Sequence, residues 1–107
     1  MVVSDPASQA DFLRTVFDAV GEYHADRPAE MRIGDSLVLV TGAGVRARFP
    51  AFLYVYVDDA DAAYERALAA GAVSLEVPLD TPYGDRRAMV RDPFGNVWQL
   101  AHVIPTR

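Results

Sequence analysis

The sequence predicts an α+β fold made of two similar repeats, each running strand, helix and then further strands. Helix patterns that begin at Asp alternate with runs of β-forming residues, in the same order in both halves. A stretch with two Gly and a Pro, residues 42–50, separates the halves and is typical of a linker. Four residues of the first half recur 53 positions later: Asp5 as Asp58, Ala10 as Ala63, Ala19 as Ala72 and Val20 as Val73. We therefore expect one domain over residues 1–107, with repeat one at about 1–44 and repeat two at about 50–104.

The first half opens with a helix signal at Asp5-Pro6, where Asp can cap the helix and Pro suits its first turn. Gly21 stands where this helix is expected to end. Residues 22–26 are a candidate short strand, and residues 31–40 predict two strands joined by a tight Gly-Asp turn. The expected buried stripe of the helix comprises Leu13, Val16, Phe17 and Val20.

The second half begins with the clearest strand of the chain, residues 52–57, which are all β-forming. Asp58-Asp59 then predicts the start of a helix that ends at Gly71. The remaining predicted elements are a strand at 72–77, a loop at 78–84, and a hairpin with strands at 86–91 and 96–103 around Asp92-Pro93-Phe94-Gly95.

Composition excludes several kinds of chemistry. The chain has no Cys, which rules out disulfide scaffolds, Cys-ligated zinc and thiol catalysis. All ten basic residues are Arg, so Schiff-base chemistry and a P-loop lysine are excluded as well. The net charge of −5 and the scattered Arg residues argue against nucleic acid as a partner. No apolar run is long enough for a membrane span and no secretory signal is visible, so we expect a cytoplasmic protein.

Three segments carry a resemblance to a known family. Together they resemble the vicinal oxygen chelate superfamily, also called the glyoxalase/bleomycin-resistance/dioxygenase group, and most closely its PhnB-like branch. The resemblance implies two βαβββ repeats that form a cupped mixed sheet, and a homodimer. The segments are residues 57–72, the tetrapeptide Tyr83-Gly84-Asp85-Arg86, and residues 92–100 with the sequence DPFGNVWQL. In the first half, residues 31–36 also resemble the PhnB-like branch.

The first repeat departs from the family pattern in two places. The family's first strand has several more residues before the position of Asp5, so this repeat is shortened. Its strand Val2-Val3 is expected to be completed by a partner chain or left frayed. The family's helix closes with Phe-Gly-Ala, whereas this chain has Phe17-Asp18-Ala19.

Enzymes of this superfamily bind a divalent metal through His, Gln or Glu residues from both repeats. The resemblance implies which residues of this sequence stand at those metal-binding positions. In the second repeat they fall on Phe52 and Gln99; in the first, one falls on Leu39 and the other would precede Met1. One Gln is too few donors for a metal, so we expect no metal, no cofactor and no metal-dependent catalysis.

No other catalytic arrangement is evident in the sequence. No Ser lies in a nucleophile elbow or beside a His, and no catalytic residue is assigned. Helix capping explains the acidic cluster of Asp58, Asp59 and Asp61. We interpret His24 and His102 as surface or structural histidines.

Strand alternation predicts which side chains would line the cup. The result is an apolar, aromatic-lined concavity with a few phenol, amide and guanidinium groups, typical of small-molecule sites. A closed core or a dimer seam is the alternative, although two tyrosine hydroxyls favour a pocket because a sealed core would have to satisfy both. The expected ligand-binding residues are Phe52, Tyr54, Tyr56, Arg86, Gln99, Leu37 and Leu39, with Val97, Ala101, Ala88 and Val90 on the same face.

Three functions remain open at this point. The first, which we favour, is a metal-free binding protein of the bleomycin-resistance type that holds a cationic or aromatic small molecule. The second is a metal-dependent lyase, isomerase or dioxygenase of the same superfamily with an atypical site. The third is a dimeric accessory module whose cup is plugged. The absent ligand positions make a non-enzymatic role the preferred one.

Overall fold

The computed structural model describes residues 1–24, 28–34, 36–42 and 51–105 of the chain. The chain divides into two compact units, Met1–Ala51 and Phe52–Arg107. In the described part of each unit, one helix packs on the strands of that unit's sheet. The α+β class and the two βαβββ-type modules with mixed sheets are confirmed. No helix within the described ranges is long and apolar enough to cross a membrane.

The described residues of the first unit form four regular elements: β1 (Val2–Val3), α1 (Pro6–Phe17), β2 (Ala29–Ile33) and β3 (Ser36–Gly42). The strand order is β1-β3-β2, with β1 parallel to β3 and β2 antiparallel to it. The β2–β3 hairpin agrees with the sequence prediction for residues 31–40. The side chains buried in this unit include Val3, Leu13, Val16, Met31 and Val40.

Helix α1 begins as predicted but ends earlier. Its last residue is Phe17, and Asp18 follows in the left-handed conformation with φ of 55°. The predicted end at Gly21 is therefore wrong, because the left-handed residue turns the chain away three residues sooner. Val20, expected in the buried stripe, lies beyond the helix, is 71% exposed and forms an isolated antiparallel bridge with Arg32.

Two further expectations for the first unit need correction. The short strand Val2–Val3 is not frayed, because it pairs with Thr41 and Gly42 of β3 and is buried. Of the candidate strand at residues 22–26, Glu22 and Tyr23 are not in a strand, His24 forms a β-bridge, and residues 25–26 lie outside the described ranges. Of the predicted linker, residues 43–50 also lie outside these ranges.

The second unit comprises β4 (Phe52–Tyr56), α2 (Ala60–Ala69), β5 (Val73–Asp80), β6 (Asp85–Arg91) and β7 (Val97–Val103). The strand order is β4-β7-β6-β5, with β4 parallel to β7 and the other neighbours antiparallel. The predicted strand, helix and hairpin are confirmed. Strand β5 runs further than predicted, so the loop before β6 is only residues 81–84.

The connection between β6 and β7 is organised by the buried carboxylate of Asp92. Its Oδ1 accepts hydrogen bonds from the backbone N–H groups of Phe94 and Asn96, both at 2.9 Å. Its Oδ2 accepts from the indole Nε1 of Trp98 at 2.8 Å. These bonds keep Asn96 in the turn, so that Arg91 stands opposite Val97 in the ladder.

The start of α2 is capped both locally and from β7. The Asp59 carboxylate accepts from the backbone N–H of Ala62, as expected for an N-cap. The backbone N–H of Ala60 donates to Nδ1 of His102 at 2.8 Å. This bond requires a neutral imidazole with an unprotonated Nδ1, and it gives His102 a structural role, as the sequence predicted.

Candidate functional site

The two faces of the second unit's sheet differ in their surroundings. One face packs on α2 and carries Ala88, Val90, Trp98 and Leu100, all fully buried. We call the other side the open face. Cross-strand pairing places on it, in successive rows, Phe52 with Val97 and Arg91, Tyr54 with Gln99 and Met89, Tyr56 with Ala101 and Arg87, and Val103 with Asp85.

The aromatic side chains of β4 are exposed on the open face. Phe52 is 65% exposed, Tyr54 38% and Tyr56 60%. The rings of the two tyrosines lie 5.4 Å apart between centroids and are tilted by 57°, within the range of favourable aromatic pairs. The structure thus brings these three residues together with Gln99 on one face, in the alternation that the sequence predicted.

Arg86 is not on this face, contrary to the prediction. It pairs with His102 across the ladder, and its guanidinium forms two hydrogen bonds to the Asp61 carboxylate of α2, at 2.9 and 3.1 Å. A further bond of 3.2 Å joins it to Asp80. The predicted orientation of Ala88 and Val90 is also wrong. The β6–β7 turn contains one residue more than the prediction assumed, because Arg91 pairs with Val97, and this exchanges the two faces of β6.

Asp85 is the buried charged group of the open face. Its Oδ2 accepts hydrogen bonds from the hydroxyl of Tyr54 at 2.7 Å and from that of Tyr56 at 2.9 Å, while the residue is only 5% exposed. Its backbone is fixed by Thr81, whose N–H and hydroxyl donate to the Asp85 carbonyl at 2.7 and 2.9 Å. Hydrogen bonds from two phenols to the side chain, and from Thr81 to the backbone, therefore fix the position of the Asp85 carboxylate.

Both phenols resist ionisation in this setting. Partial burial, followed by the hydrogen bond to Asp85, raises the pKa of Tyr54. For Tyr56 the hydrogen bond to Asp85 is the main cause of a raised pKa. Each hydroxyl thus remains a donor to the carboxylate across the neutral pH range.

Arg87 occupies the middle of the same face. Its Nη2 donates to Oε1 of Glu76 on β5 at 2.6 Å, and its Nη1 donates to Tyr83 Oη and to Gln99 Oε1, both at 3.2 Å. The hydrogen bond to Glu76 is the main cause of a raised pKa for the guanidinium. Its Nε is buried and has no hydrogen-bond partner in the part of the chain that the structure describes.

The polar groups of this face form one connected set. Arg87 donates hydrogen bonds to Glu76, Gln99 and Tyr83. The Tyr83 hydroxyl in turn contributes to the raised pKa of Tyr54. Sequence reasoning did not assign Glu76, Tyr83, Asp85 or Arg87 to the site. The tetrapeptide 83–86 did stand out in the family resemblance, and a correct register for the hairpin would have pointed to Asp85 and Arg87.

Leu37 and Leu39, the other two predicted site residues, lie on β3 of the first unit. They are 52% and 49% exposed, and they stand opposite Arg32 and Glu30 of β2. Their side chains remain an exposed apolar pair of that unit's sheet.

The donor atoms at the family's metal positions do not fit a divalent metal. Phe52 and Leu39 carry no donor atom in their side chains. The Oε1 of Gln99 accepts from Arg87, so a metal ion at that oxygen would be held against a guanidinium. Within residues 1–24, 28–34, 36–42 and 51–105, no group of three or more His, Cys, Asp or Glu could hold a metal ion.

Comparison with known proteins gives a consistent assignment. Residues 1–100 match the family model described as the Glyoxalase/Bleomycin resistance protein/Dioxygenase superfamily. An uncharacterized Mycobacterium bovis protein is 33% identical, over 97% of this chain and 80% of its own length. An uncharacterized Mycobacterium tuberculosis protein is also 33% identical, over 97% of this chain and 72% of its own.

Solved structures show the same fold. The crystal structure of TioX from Micromonospora sp. ML1 aligns with a TM-score of 0.83 and 26% identity, covering 97% of this chain and 94% of the other. A glyoxalase/bleomycin resistance protein/dioxygenase family enzyme from Burkholderia phytofirmans aligns with a TM-score of 0.81 and 20% identity, with the same two coverages.

Proposed function

The chain belongs to the glyoxalase/bleomycin resistance protein/dioxygenase superfamily, and on that basis we propose that it binds a small organic molecule, cationic or aromatic, on the open face of its second unit without a metal ion. The observation that carries this proposal is the exposed aromatic row of β4 beside the buried Asp85 carboxylate. Exposed rings offer stacking area, and a carboxylate held by two phenols offers a fixed point of charge.

The electrostatics of the open face favour a cationic guest. Asp85 is nearly excluded from water, so its charge is less screened than that of a surface group. The opposing Arg87 is paired with Glu76 at 2.6 Å. Arg91, the other basic residue of the face, is exposed and lies about 20 Å along β6 from Asp85, which is beyond the screening length at physiological salt. Aromatic rings add cation–π attraction for a guest held against them.

The test uses three probes that share a naphthalene ring and differ in charge: naphthylmethylamine, naphthylmethanol and naphthoate. Binding to the whole chain is followed by amide and methyl NMR spectra. We expect the amine to bind most tightly and to shift the signals of the Met89 methyl and the Gln99 side chain. Shifts confined to α2, or no binding by any probe, would contradict the proposal.

A pair of variants localises the site. Phe52→Ala removes the most exposed ring of the row and is expected to weaken binding of the amine by about tenfold, by loss of stacking area. Val77→Ala removes a side chain of similar exposure, 62% on β5, and is expected to leave binding unchanged.

Calorimetric titration with Zn²⁺, Ni²⁺ and Mn²⁺ separates this proposal from the metal-dependent alternative. Because Gln99 is engaged by Arg87 and the other matching positions are apolar, we expect no stoichiometric tight binding. Tight binding of one ion per chain would favour a lyase, isomerase or dioxygenase.

The plugged accessory module makes a different prediction. If the open face were covered by a second copy of the chain, Tyr54→Ala would change the oligomeric state. Neither the unaltered chain nor the variant would then bind any of the three probes. The homodimer implied by the family resemblance is itself part of our proposal, and light scattering tests it.

The DPFGN turn followed by Trp98 supports placing the chain in the PhnB-like branch.

A further inference from the structure

We propose that Glu76 is the specificity-determining residue of the open face: by cancelling the charge of Arg87 it makes the face select cations, and without it the face would accept anions. This inference rests on the function proposed above. It assigns the selection to a residue of β5, the strand furthest from the aromatic row.

The contact between the two side chains is short and partly sheltered. The Arg87 Nη2–Glu76 Oε1 distance is 2.6 Å, and the side chains are 21% and 31% exposed. A charge pair in this setting is screened less by solvent than a surface pair. The guanidinium therefore presents little net charge to a molecule on the open face as long as Glu76 is ionised.

The remaining partners of Arg87 cannot replace that charge. Tyr83 and Gln99 accept its Nη1 hydrogen bonds at 3.2 Å as neutral groups. The Asp85 carboxylate, two positions away on the same side of β6, accepts hydrogen bonds from Tyr54 and Tyr56, and the ion pair of Arg87 is made with Glu76 instead. Loss of the Glu76 charge would thus leave a guanidinium uncompensated in the middle of the face, with Asp85 as the nearest opposite charge on the same strand.

The substitution Glu76→Gln changes charge while keeping an acceptor oxygen for Arg87 Nη2. We expect it to weaken binding of naphthylmethylamine by about tenfold, to strengthen binding of naphthoate by a similar factor, and to leave naphthylmethanol unchanged. The double variant Glu76→Gln/Arg87→Gln should return the order of the three probes to that of the unaltered chain, because the net charge of the face is then restored.

Glu65→Gln is the matched control. Glu65 is exposed on α2, on the opposite side of the sheet, so it changes the net charge of the chain by the same amount without altering the open face. If this variant changes the probe order as much as Glu76→Gln does, the effect is one of overall charge and the inference is wrong.

A measurement without ligand keeps the two proposals distinguishable. Tyr56 lies in the same cross-strand row of the open face as Arg87, with Ala101 between them. An uncompensated Arg87 would stabilise the tyrosinate form of Tyr56, so Glu76→Gln should lower the pKa of Tyr56, followed by NMR of the tyrosine ring carbons during a pH titration. An unchanged titration overturns the role of Glu76 whether or not a probe binds. A lowered pKa without binding of any probe would support the role of Glu76 in the field of the face and contradict the proposed binding function.

Discussion

The carboxylate of Asp92 and the indole of Trp98 form a buried hydrogen bond of 2.8 Å that ties the β6–β7 turn to the core of the second unit. Trp98 has no exposed surface and Asp92 is 3% exposed. The same carboxylate holds the backbone of Phe94 and Asn96. The Asp92 side chain thus accepts hydrogen bonds both from backbone N–H groups of the turn and from the indole N–H of Trp98, the largest buried side chain.

Replacing Asp92 by Ala should be strongly destabilising. The substitution leaves the buried indole N–H and the Asn96 N–H without their acceptor, and we expect a loss of about 3 kcal/mol in the free energy of unfolding. Urea unfolding followed by the fluorescence of Trp98, the one tryptophan in the sequence, reports on this unit directly. Asp58→Ala, at an exposed position, should change the same quantity by less than about 0.5 kcal/mol.

The bond from Ala60 to His102 fixes the tautomer of the imidazole. We expect nitrogen NMR at neutral pH to show a protonated Nε2 and an unprotonated Nδ1, because the backbone N–H must donate. His102→Ala should destabilise the second unit by about 1 kcal/mol through loss of this cap. His24→Ala serves as the comparison and should be nearly neutral, since that side chain is 40% exposed. An Nδ1-protonated ring would contradict the assignment.

Asp18 offers a stabilising substitution. It adopts φ of 55° directly after α1, a conformation that is costly for residues with a Cβ atom and easy for glycine. Asp18→Gly should therefore raise the free energy of unfolding by about 1 kcal/mol. The same change at Asp11, within α1, should lower it, since glycine is unfavourable in a helix. Thermal unfolding of both variants tests the opposite signs.

The ion pair of Asp61 and Arg86 predicts a pH dependence. The Arg86 guanidinium holds the pKa of Asp61 below its ordinary value of 3.8. Its contribution to stability is thus fully present above that ordinary value and is lost as the pH falls through the lowered value in the folded chain.

Comparison of Asp61→Asn with the unaltered chain tests this. The difference in urea midpoint should be largest near neutral pH and should vanish in strong acid. Because the side chains are 50% and 31% exposed, added salt should reduce the difference. A difference that grows on acidification would show that the pair does not lower the pKa of Asp61.

Local signals in the sequence predicted most of the elements. Asp5-Pro6 and Asp59 start the two helices, and the β-forming run of β4 is unbroken, so neighbouring residues alone determine these features. The end of α1 was missed because a left-handed Asp is far less common there than Gly. The family resemblance did note Asp18 in place of a glycine, and the structure shows why that position matters.

The candidate site was predicted in part, for a different physical reason. Alternation along β4 and β7 correctly grouped Phe52, Tyr54, Tyr56 and Gln99, since it depends only on the period of a strand. The face of β6 depends instead on how many residues the turn contains, which side-chain bonds of Asp92 decide. The contact between Tyr54 and Asp85 joins residues 31 positions apart, beyond the reach of any local pattern.

The turn held by Asp92 therefore decides which side chains of β6 lie on the open face, where we propose that a ligand binds. If one residue were deleted between Arg91 and Val97, β6 would present Arg86, Ala88 and Val90 beside the aromatic row, and Asp85 and Arg87 would be forced against α2. In an evolving lineage, a single codon gained or lost at this hairpin would therefore exchange every β6 side chain on the open face at once, which no point mutation on that face could do.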